Sequence, residues 1–289
     1  MKLCSYKVGG KNQYGVMTDE GIIDLSSRIG RNYSTLVSLI SGQAIAVAQE
    51  AVAGASPDFG LDSVTFLPLT AEHVNIFCVG VNYMDHRAET GRTEDQFPSA
   101  FAKFQESVVG HNEPLVRPRG QVSMDFEVEY AVVIGRSVRN VSAEDALDYV
   151  AGYTILNDGT IREYQYERSV FQGKNFWHTG ACGPCMLTRD AAPDWADTFV
   201  ETRLNGDVMQ RSCVDQLIMD VPFLVSYFSR QTLLKPGDII ATGTPAGVGH
   251  RREPPVYLKP GDVLEMEITG IGVLRNTVID ESDLVATPD

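Results

Sequence analysis

The chain has 289 residues, of which 43% are hydrophobic and 21% charged, so it can bury a sizeable core as one large domain or as a large domain with a small one. Its formal net charge of −14 argues against nucleic-acid binding, which needs a basic face to neutralise phosphates. No stretch approaches the roughly 18–20 apolar residues of a membrane span, and the chain turns polar too early for a secretory signal. We therefore expect a cytoplasmic protein without nucleic-acid or membrane partners, in which the five cysteines stay reduced.

A small N-terminal β-rich domain is predicted for residues 1–71. Three short runs with strand character open the chain, and a Gly-Gly-Lys-Asn segment between the first two is typical of a hairpin. Residues 34–53 have helical spacing, which breaks near Gly42. The strand-like runs are 2–8, 13–19 and 21–27.

A larger unit, residues 72–289, is predicted to be rich in strands, with a helix at 221–231. The sequence LKPGD occurs twice, at 234–238 and 258–262, and each copy precedes an apolar run. Pro-Gly suits the centre of a type II turn, so we expect each copy to be a turn followed by a strand. The two strands are predicted to pair in a rolled, mostly antiparallel sheet. The other predicted strands include 75–82, 125–135 and 151–158.

Two glutamates lie two positions apart in the second of these strands, residues 125–135, whose sequence is DFEVEYAVVIG. Because side chains alternate along a strand, Glu127 and Glu129 are expected on one face and Val128 on the other. One interpretation is a solvated strand face; the other is a site for a hard divalent cation, which prefers carboxylate oxygens. Asp158, at the end of a predicted strand, is a candidate third ligand, although Asn-Asp is also an ordinary turn signal.

A histidine and a glutamate are spaced for contact on one helical turn. His86 and Glu89 stand at i and i+3, an arrangement that suits a general base held by a carboxylate. A chance surface ion pair is the alternative. The polar, glycine-containing segment that follows, residues 90–99, is typical of a mobile cover over a site.

Cationic and amide side chains that suit carboxylate or enolate oxygens follow further along the chain. Arg162 and Gln165 are also three apart and can share one helical face, and Lys174 follows a glycine. In the loop 241–249, Thr244 and backbone N–H groups could approach a small anion, although a plain tight turn explains the loop nearly as well.

Cys182 and Cys185 form a Cys-Gly-Pro-Cys sequence that resembles a redox centre. A redox pair needs a helix N-terminus beneath the first sulfur, and no helix is predicted after these cysteines. A zinc site that uses His178 lacks an obvious fourth ligand. We therefore expect inert thiols in a turn that leads to a strand, on the rim of the pocket that Lys174 enters.

Taken in order, several motifs over residues 75–279 resemble the fumarylacetoacetate hydrolase superfamily. They include the Arg162–Gln165 pair. The other motifs are GVNYMDHRAE, PSAFAKF, DFEVEYAVVIG, YVAGYTILND, GKNF, LKPGDIIATGTPAGVG and LKPGDVLEMEI.

The resemblance implies an α+β fold, namely a mixed β-roll or pseudo-barrel with a small N-terminal domain, in a homodimer. It further implies one Mg²⁺ or Mn²⁺ ion per subunit, a water-activating pair on the lid segment, and a lysine that stabilises negative charge. The implied metal ligands are Glu127, Glu129 and Asp158; the implied catalytic residues are His86, Glu89 and Lys174; and the implied substrate contacts are Arg162, Gln165, Thr244, Tyr83 and His178.

The chemistry expected of such a site is hydrolysis of a C–C bond in a 2,4-dioxo acid, an acylpyruvate, with expulsion of a pyruvate enolate. The sequence departs from many members after Lys174, where Trp177 and His178 are expected to alter the pocket wall. The alternatives on this fold are a 2-oxo acid (oxaloacetate) decarboxylase and an isomerase or hydratase of aromatic or sugar-acid catabolism. A thiol oxidoreductase and a binding protein that has lost catalysis are alternatives of other classes.

Overall fold

The structure, a computed structural model, describes residues 1–70, 72, 74–91 and 97–284. Strands dominate these residues, and the helices are short, as expected for the predicted α+β class. The strands are β1 (Lys2–Val8), β2 (Lys11–Thr18), β3 (Gly21–Asp24), β4 (Thr65–Phe66), β5 (Ile76–Gly80), β6 (Ser99–Lys103), β7 (Val108–Val109), β8 (Leu115–Arg117), β9 (Met124–Asp125), β10 (Val128–Ile134), β11 (Val150–Asn157), β12 (Thr160–Ile161), β13 (Gly180–Thr188), β14 (Phe199–Leu204), β15 (Asp207–Cys213), β16 (Ile239–Ala241), β17 (Val263–Ile268) and β18 (Gly272–Asp280). The α-helices are α1 (Leu25–Ile29), α2 (Leu36–Ser41), α3 (Ile45–Val52), α4 (Met84–Thr90), α5 (Arg162–Glu167), α6 (Val170–Lys174) and α7 (Val221–Gln231). Single 3-10 turns lie at Leu61–Ser63, Gln105–Ser107, Ala146–Tyr149, Arg189–Ala191, Trp195–Asp197, Val214–Gln216, Gly249–Arg251 and Glu281–Asp283.

The largest sheet runs in the order β3-β2-β1-β13-β11-β10-β16-β5-β6. The predicted N-terminal hairpin is present, since β1 pairs antiparallel with β2 across Gly9 and Gly10, both of which have positive φ. The predicted helical segment does break at Gly42, between α2 and α3. Strand β1 also pairs with β13, with Leu3 opposite Met186, so the N-terminal hairpin extends the large sheet. The predicted domain boundary at residue 71 lies outside the described residues and stays a prediction.

The two LKPGD copies form the predicted turns, but their strands do not pair with each other. In each turn the aspartate N–H donates to the lysine carbonyl at 3.0 Å, and the glycine has positive φ, as a type II turn requires. Strand β16 then joins the large sheet beside β10 and β5, whereas β17 lies in a second sheet of order β15-β14-β17-β18-β8. The pairing prediction was therefore wrong, because the repeat determines the local turn while distant segments determine the strand neighbours.

The antiparallel pair β10–β11 determines where the polar site forms. Val128 at the start of β10 lies opposite Asn157 at the end of β11. Consequently Glu127, just before β10, and Asp158, just after β11, meet at the same end of this buried strand pair. Among the described residues, no helix combines the length and the apolar character that a membrane crossing requires.

Candidate active site

Three buried carboxylates converge where β10 begins and β11 ends. One oxygen from each of Glu127, Glu129 and Asp158 lies within 4.8 Å of the others, and all three side chains are buried. The two glutamates share a face because they stand two positions apart along the chain. Carboxylates are charged acceptors without a proton to donate, so a buried group of three needs cations nearby.

Two cationic side chains meet part of this requirement. The ammonium group of Lys174, at the end of α6, lies 2.6 Å from Glu127 Oε2 and 2.7 Å from Asp158 Oδ2. Arg162, the first residue of α5, lies 2.7 Å from the other oxygen of Glu127. Burial alone would raise the pKa of Glu127, but Lys174 and Arg162 hold it at about 2. Among the described residues, Glu129 has no cationic side chain at ion-pair distance.

The donor set fits a divalent cation on two further observations. Lys103 Nζ at 3.0 Å and Lys174 Nζ at 2.7 Å are close enough to Asp158 for ion pairs, yet neither approach has hydrogen-bond angles, so both oxygens are buried without a hydrogen-bond partner. Burial also raises the pKa of Glu129 well above 4.5, and the charges of Asp158 and Glu127 raise it further. A hard cation between these oxygens would relieve both costs.

The predicted pair on α4 is formed. His86 Nδ1 lies 2.7 Å from Glu89 Oε2, and the Gly247 N–H donates to Glu89 Oε1 at 3.0 Å. Burial alone would raise the pKa of Glu89, but the bonds from His86 and Gly247 lower it below 4.5. An ionised Glu89 can only accept, so Nδ1 carries a proton, and in the neutral form of the ring the lone pair is on Nε2. Half of the predicted cover over the site, residues 92–96, lies outside the described residues.

Arg162 is held by partners on three sides. Its Nη1 donates to Gln165 Oε1 at 2.7 Å, which confirms that the two side chains share one face of α5. Its Nε donates to Asp125 Oδ2 at 2.7 Å, and Asp125 also accepts the N–H groups of Gly249 at 2.8 Å and His250 at 3.0 Å. Asp125 therefore ties the guanidinium to the 3-10 turn Gly249–Arg251, whose last residue lines the pocket. The sequence analysis did not single out this aspartate.

Lys103 is the second site residue that the sequence analysis missed. It ends β6, is 3% exposed, and donates to the backbone carbonyls of Gly159 and Lys174. A lysine is almost never this buried unless it is paired, and its partner Asp158 is 55 positions away. Only the strand arrangement brings the two together, although Lys103 does lie within the motif PSAFAKF that contributed to the resemblance.

One pocket of about 90 Å³ collects most of the predicted residues. This size suits a small metabolite rather than a polymer. Glu89 is not part of the pocket lining, but it holds His86, which is. The predicted residues that line the pocket are His86, Glu127, Glu129, Asp158, Arg162, Gln165, Lys174 and Thr244, and they are joined by Phe101, Tyr166 and Arg251.

Two predicted substrate contacts lie elsewhere. Tyr83 is fully buried in the hydrophobic core, and its hydroxyl has no hydrogen-bond partner among the described residues. His178 lines a different cavity and stacks on Trp177, with ring centroids 3.6 Å apart, because the chain turns away at His178, where φ is +54°. The lining of the pocket includes none of Tyr83, Trp177 and His178.

Cys182 and Cys185 lie in the middle of β13, a strand that is buried along its whole length. Both are free thiols, and burial raises the pKa of each to about 12. This agrees with the predicted absence of redox chemistry. The expectation that these residues mark the pocket rim was wrong, because β13 is a central strand between β1 and β11.

The buried thiols are expected to resist modification in the folded protein. Cys213 is partly accessible and should react first with a thiol reagent, while Cys182 and Cys185 react only after denaturation. Peptide mapping by mass spectrometry after timed labelling measures this order. Rapid labelling of either β13 cysteine in the folded protein would contradict their inert role.

Residues 75–279 match the family model "Fumarylacetoacetate (FAA) hydrolase C-terminal". The chain belongs to the fumarylacetoacetate hydrolase family. The predicted resemblance is therefore confirmed, and so is the predicted fold class.

Relatives of known name or structure in this family cover most of the chain. "Oxaloacetate tautomerase Fahd2a, mitochondrial" of Rattus norvegicus is 35% identical over 263 residues, which are 90% of this chain and 84% of the relative. The solved fumarylacetoacetate hydrolase from psychrophilic Exiguobacterium antarcticum has a TM-score of 0.81 and 35% identity, and covers 97% of this chain and 100% of its own. Maleylpyruvate hydrolase from Sphingobium sp. SYK-6, solved with manganese(II) and pyruvate, has a TM-score of 0.80 and 27% identity over 97% of this chain and 99% of its own. The chain is thus an enzyme-family member whose relatives include both tautomerases and hydrolases.

Proposed function

We propose that this chain is a divalent-cation-dependent tautomerase that interconverts the keto and enol forms of oxaloacetate. The observation that carries the proposal is the presence of three buried carboxylates, a buried lysine and the His86–Glu89 pair around one small pocket. The tautomerase relative supports the choice of substrate, and the manganese–pyruvate complex of the hydrolase neighbour supports a Mg²⁺ or Mn²⁺ ion with a 2-oxo acid. The expected ligands of that ion are Glu127, Glu129 and Asp158.

His86 is the proposed proton carrier. Its Nδ1 is held by Glu89, so Nε2 is the nitrogen left to take the proton from C3 of the keto acid and to deliver it to the 2-oxo oxygen, which gives the enol; the reverse transfer regenerates the keto form. Glu89 stabilises the imidazolium that forms in between. The pair stays in position because the Gly247 N–H binds the second oxygen of Glu89, and φ at Gly247 is +99°. A side chain at this position would lie 2.2 Å from the Met209 carbonyl oxygen.

The bound cation would supply Lewis-acid stabilisation of the negative charge that develops on the 2-oxo oxygen. Lys174 adds a fixed positive charge beside it. Burial alone would lower the pKa of Lys174, but Asp158 and Glu127 outweigh burial and raise it above its ordinary value, so the ammonium stays charged. Arg162 remains charged for the same reason and orients Gln165 toward the pocket.

Arg251 supports a substrate with a second carboxylate. It lies on the exposed rim of the pocket, whereas Arg162 and Lys174 are already paired with buried carboxylates. Among the described residues, no carboxylate lies at ion-pair distance from Arg251. A rim guanidinium of this kind suits the distal carboxylate of a dicarboxylic 2-oxo acid.

The second candidate is the predicted hydrolysis of an acylpyruvate. The observation that favours it is the His86–Glu89 pair, which could equally deprotonate a water for attack on the distal carbonyl. Such an attack breaks the C–C bond, releases the acyl part as a carboxylic acid, and expels a pyruvate enolate that takes up a proton to give pyruvate. The structural neighbour from Sphingobium is named as a hydrolase of maleylpyruvate, which fits this second candidate.

Three assays on purified protein separate the candidates. Ultraviolet absorbance follows the loss of enol-oxaloacetate, and a coupled lactate dehydrogenase assay detects pyruvate released from oxaloacetate or from an acylpyruvate. We expect cation-dependent enol loss without pyruvate. Pyruvate from oxaloacetate would identify a decarboxylase, pyruvate from the acylpyruvate a hydrolase, and no rate above background with either substrate would exclude both candidates.

Replacing His86 by alanine is expected to lower kcat for the tautomerase reaction by about 10²- to 10⁴-fold, because the proton carrier is lost. The cation affinity should change little, since His86 is not among the three proposed ligands. Glu167→Gln, which changes an exposed side chain on α5, is the matched control and should keep full activity. Unchanged kcat in the His86 variant would exclude it as the base.

The predicted homodimer and cytoplasmic location remain predictions. Size-exclusion chromatography with light scattering measures the oligomeric state directly.

A further inference from the structure

A buried glutamine from the second sheet contacts the loop 241–249, which contains the pocket residue Thr244. Gln210 lies in β15, is 1% exposed, and uses every hydrogen-bonding position that its amide offers in this surrounding. Its Nε2 donates to Thr244 Oγ1 at 2.8 Å and to the Pro245 carbonyl at 2.9 Å. Its Oε1 accepts the Val128 N–H at 3.2 Å and the Thr202 hydroxyl at 2.9 Å.

Two backbone groups determine which way round this amide sits. The Val128 N–H can only donate, so the atom facing it must be the amide oxygen of Gln210. The Pro245 carbonyl can only accept, so the atom facing it must be the amide nitrogen. In the opposite orientation the amide nitrogen would face the Val128 N–H, which puts two donors together, and the amide oxygen would face the Pro245 carbonyl, which puts two acceptors together. Both clashes would be buried, and each would cost the free energy of an unsatisfied polar group.

The direction of the bond to Thr244 follows from this orientation. Because the Gln210 N–H donates to Thr244 Oγ1, the proton of the Thr244 hydroxyl must point elsewhere. Thr244 lines the pocket, is 3% exposed, and has no acceptor for that proton in the part of the chain that the structure describes. The hydroxyl is therefore left as a donor toward the pocket.

We infer that Gln210 is a positioning residue that makes the Thr244 hydroxyl an obligatory donor to an anionic oxygen of the bound substrate. The inference rests on the proposed function, because it assumes that the pocket binds a 2-oxo acid. It goes beyond that function by assigning a role to a residue of the second sheet that does not itself line the pocket. Without the Gln210 amide, nothing fixes the direction of the Thr244 hydroxyl proton, and the hydroxyl can rotate and present a lone pair to the anion instead.

A double-mutant cycle tests this role through binding rather than turnover. Oxalate is titrated calorimetrically, in the presence of excess Mn²⁺, into the wild type, Gln210→Met, Thr244→Val and the double variant. Thr244→Val is expected to weaken oxalate binding by about tenfold to a hundredfold, as loss of a hydrogen bond to a charged group does. Gln210→Met should weaken oxalate binding roughly three- to tenfold when Thr244 is present. It should have no further effect on oxalate binding in a protein that already carries Thr244→Val.

Thr202→Val is the matched control, because it removes one bond from the opposite side of the same amide. It should lower the melting temperature and leave oxalate affinity unchanged, which separates a structural effect from an effect on Thr244. An equal loss from Gln210→Met in both backgrounds, or no loss in either, would overturn the inference. If the wild type itself binds no oxalate, the proposed function fails instead.

Neutron diffraction from deuterated wild-type crystals keeps the inference testable even if Gln210→Met does not fold. The expected nuclear density places the Thr244 hydroxyl deuteron on the pocket side, with two deuterons on Gln210 Nε2. A deuteron bonded to Thr244 Oγ1 itself and directed at the Gln210 amide would contradict the inference.

Discussion

Replacing Glu129 by glutamine is expected to abolish cation-dependent activity while leaving the cation-free protein equally stable or more stable. The two effects have one cause. Burial, Asp158 and Glu127 raise the pKa of Glu129 well above 4.5, so its charge is costly unless a cation neutralises it. Glutamine keeps an oxygen for the Gly243 N–H, which now donates to Glu129 at 2.8 Å. Cation affinity should fall roughly a hundredfold or more, since even residues outside the ligand shell typically account for 10–100-fold.

The pH dependence of stability distinguishes this explanation from simple damage. The raised pKa of Glu129 means that, above 4.5, the unfolded chain loses a proton that the folded chain retains. Rising pH therefore favours unfolding of the cation-free wild type through this group, and the variant lacks that contribution. The difference in unfolding free energy, variant minus wild type, should grow with pH in chelator-treated samples. A difference that is constant with pH would contradict the assignment.

Replacing Glu127 by glutamine is expected to have the opposite effect on stability. Glu127 contacts Lys174 at 2.6 Å and Arg162 at 2.7 Å, both buried, so removing its charge leaves two buried cations with fewer partners. Breaking a buried pair costs about 3–5 kcal/mol, and the lower end applies because each cation keeps a second carboxylate, Asp158 or Asp125. The melting temperature should fall by roughly 6–12 °C, measured by calorimetry in chelator.

The stabilisation of the folded protein by Glu127 also depends on pH, because it requires the ionised carboxylate. Its pKa is lowered to about 2, so its stabilising effect is fully present above 4.5 and is lost as the pH falls toward 2. The stability gap between the wild type and Glu127→Gln should therefore close on acidification. Glu163→Gln, an exposed change on the neighbouring helix α5, is the control and should show no gap. Equal melting temperatures for the Glu127 and Glu163 variants would show that the buried pairs contribute little.

Local spacing was sufficient to predict the parts of the site that lie within one element. Glu127 and Glu129 share a face because strand side chains alternate, and His86 meets Glu89 because helical neighbours are three residues apart. The same rule places Arg162 beside Gln165. These pairs need no knowledge of the rest of the fold.

Partners from distant segments could not be predicted in this way. Lys103 lies beside Asp158 although three strands separate β6 from β11 in the large sheet, and Gln210 reaches Thr244 from a different sheet. The strands after the two LKPGD turns look alike in sequence and still enter different sheets. His178 shows the converse. It lies only four residues after Lys174 in the sequence, yet its side chain lines a different cavity.

Anomalous diffraction from a crystal soaked in Mn²⁺ tests the central claim most directly. The predicted result is one strong peak per chain, among the carboxylates of Glu127, Glu129 and Asp158. A crystal without a peak there, or with its peak at other residues, would contradict the claim that these carboxylates hold the cation on which the proposed chemistry depends.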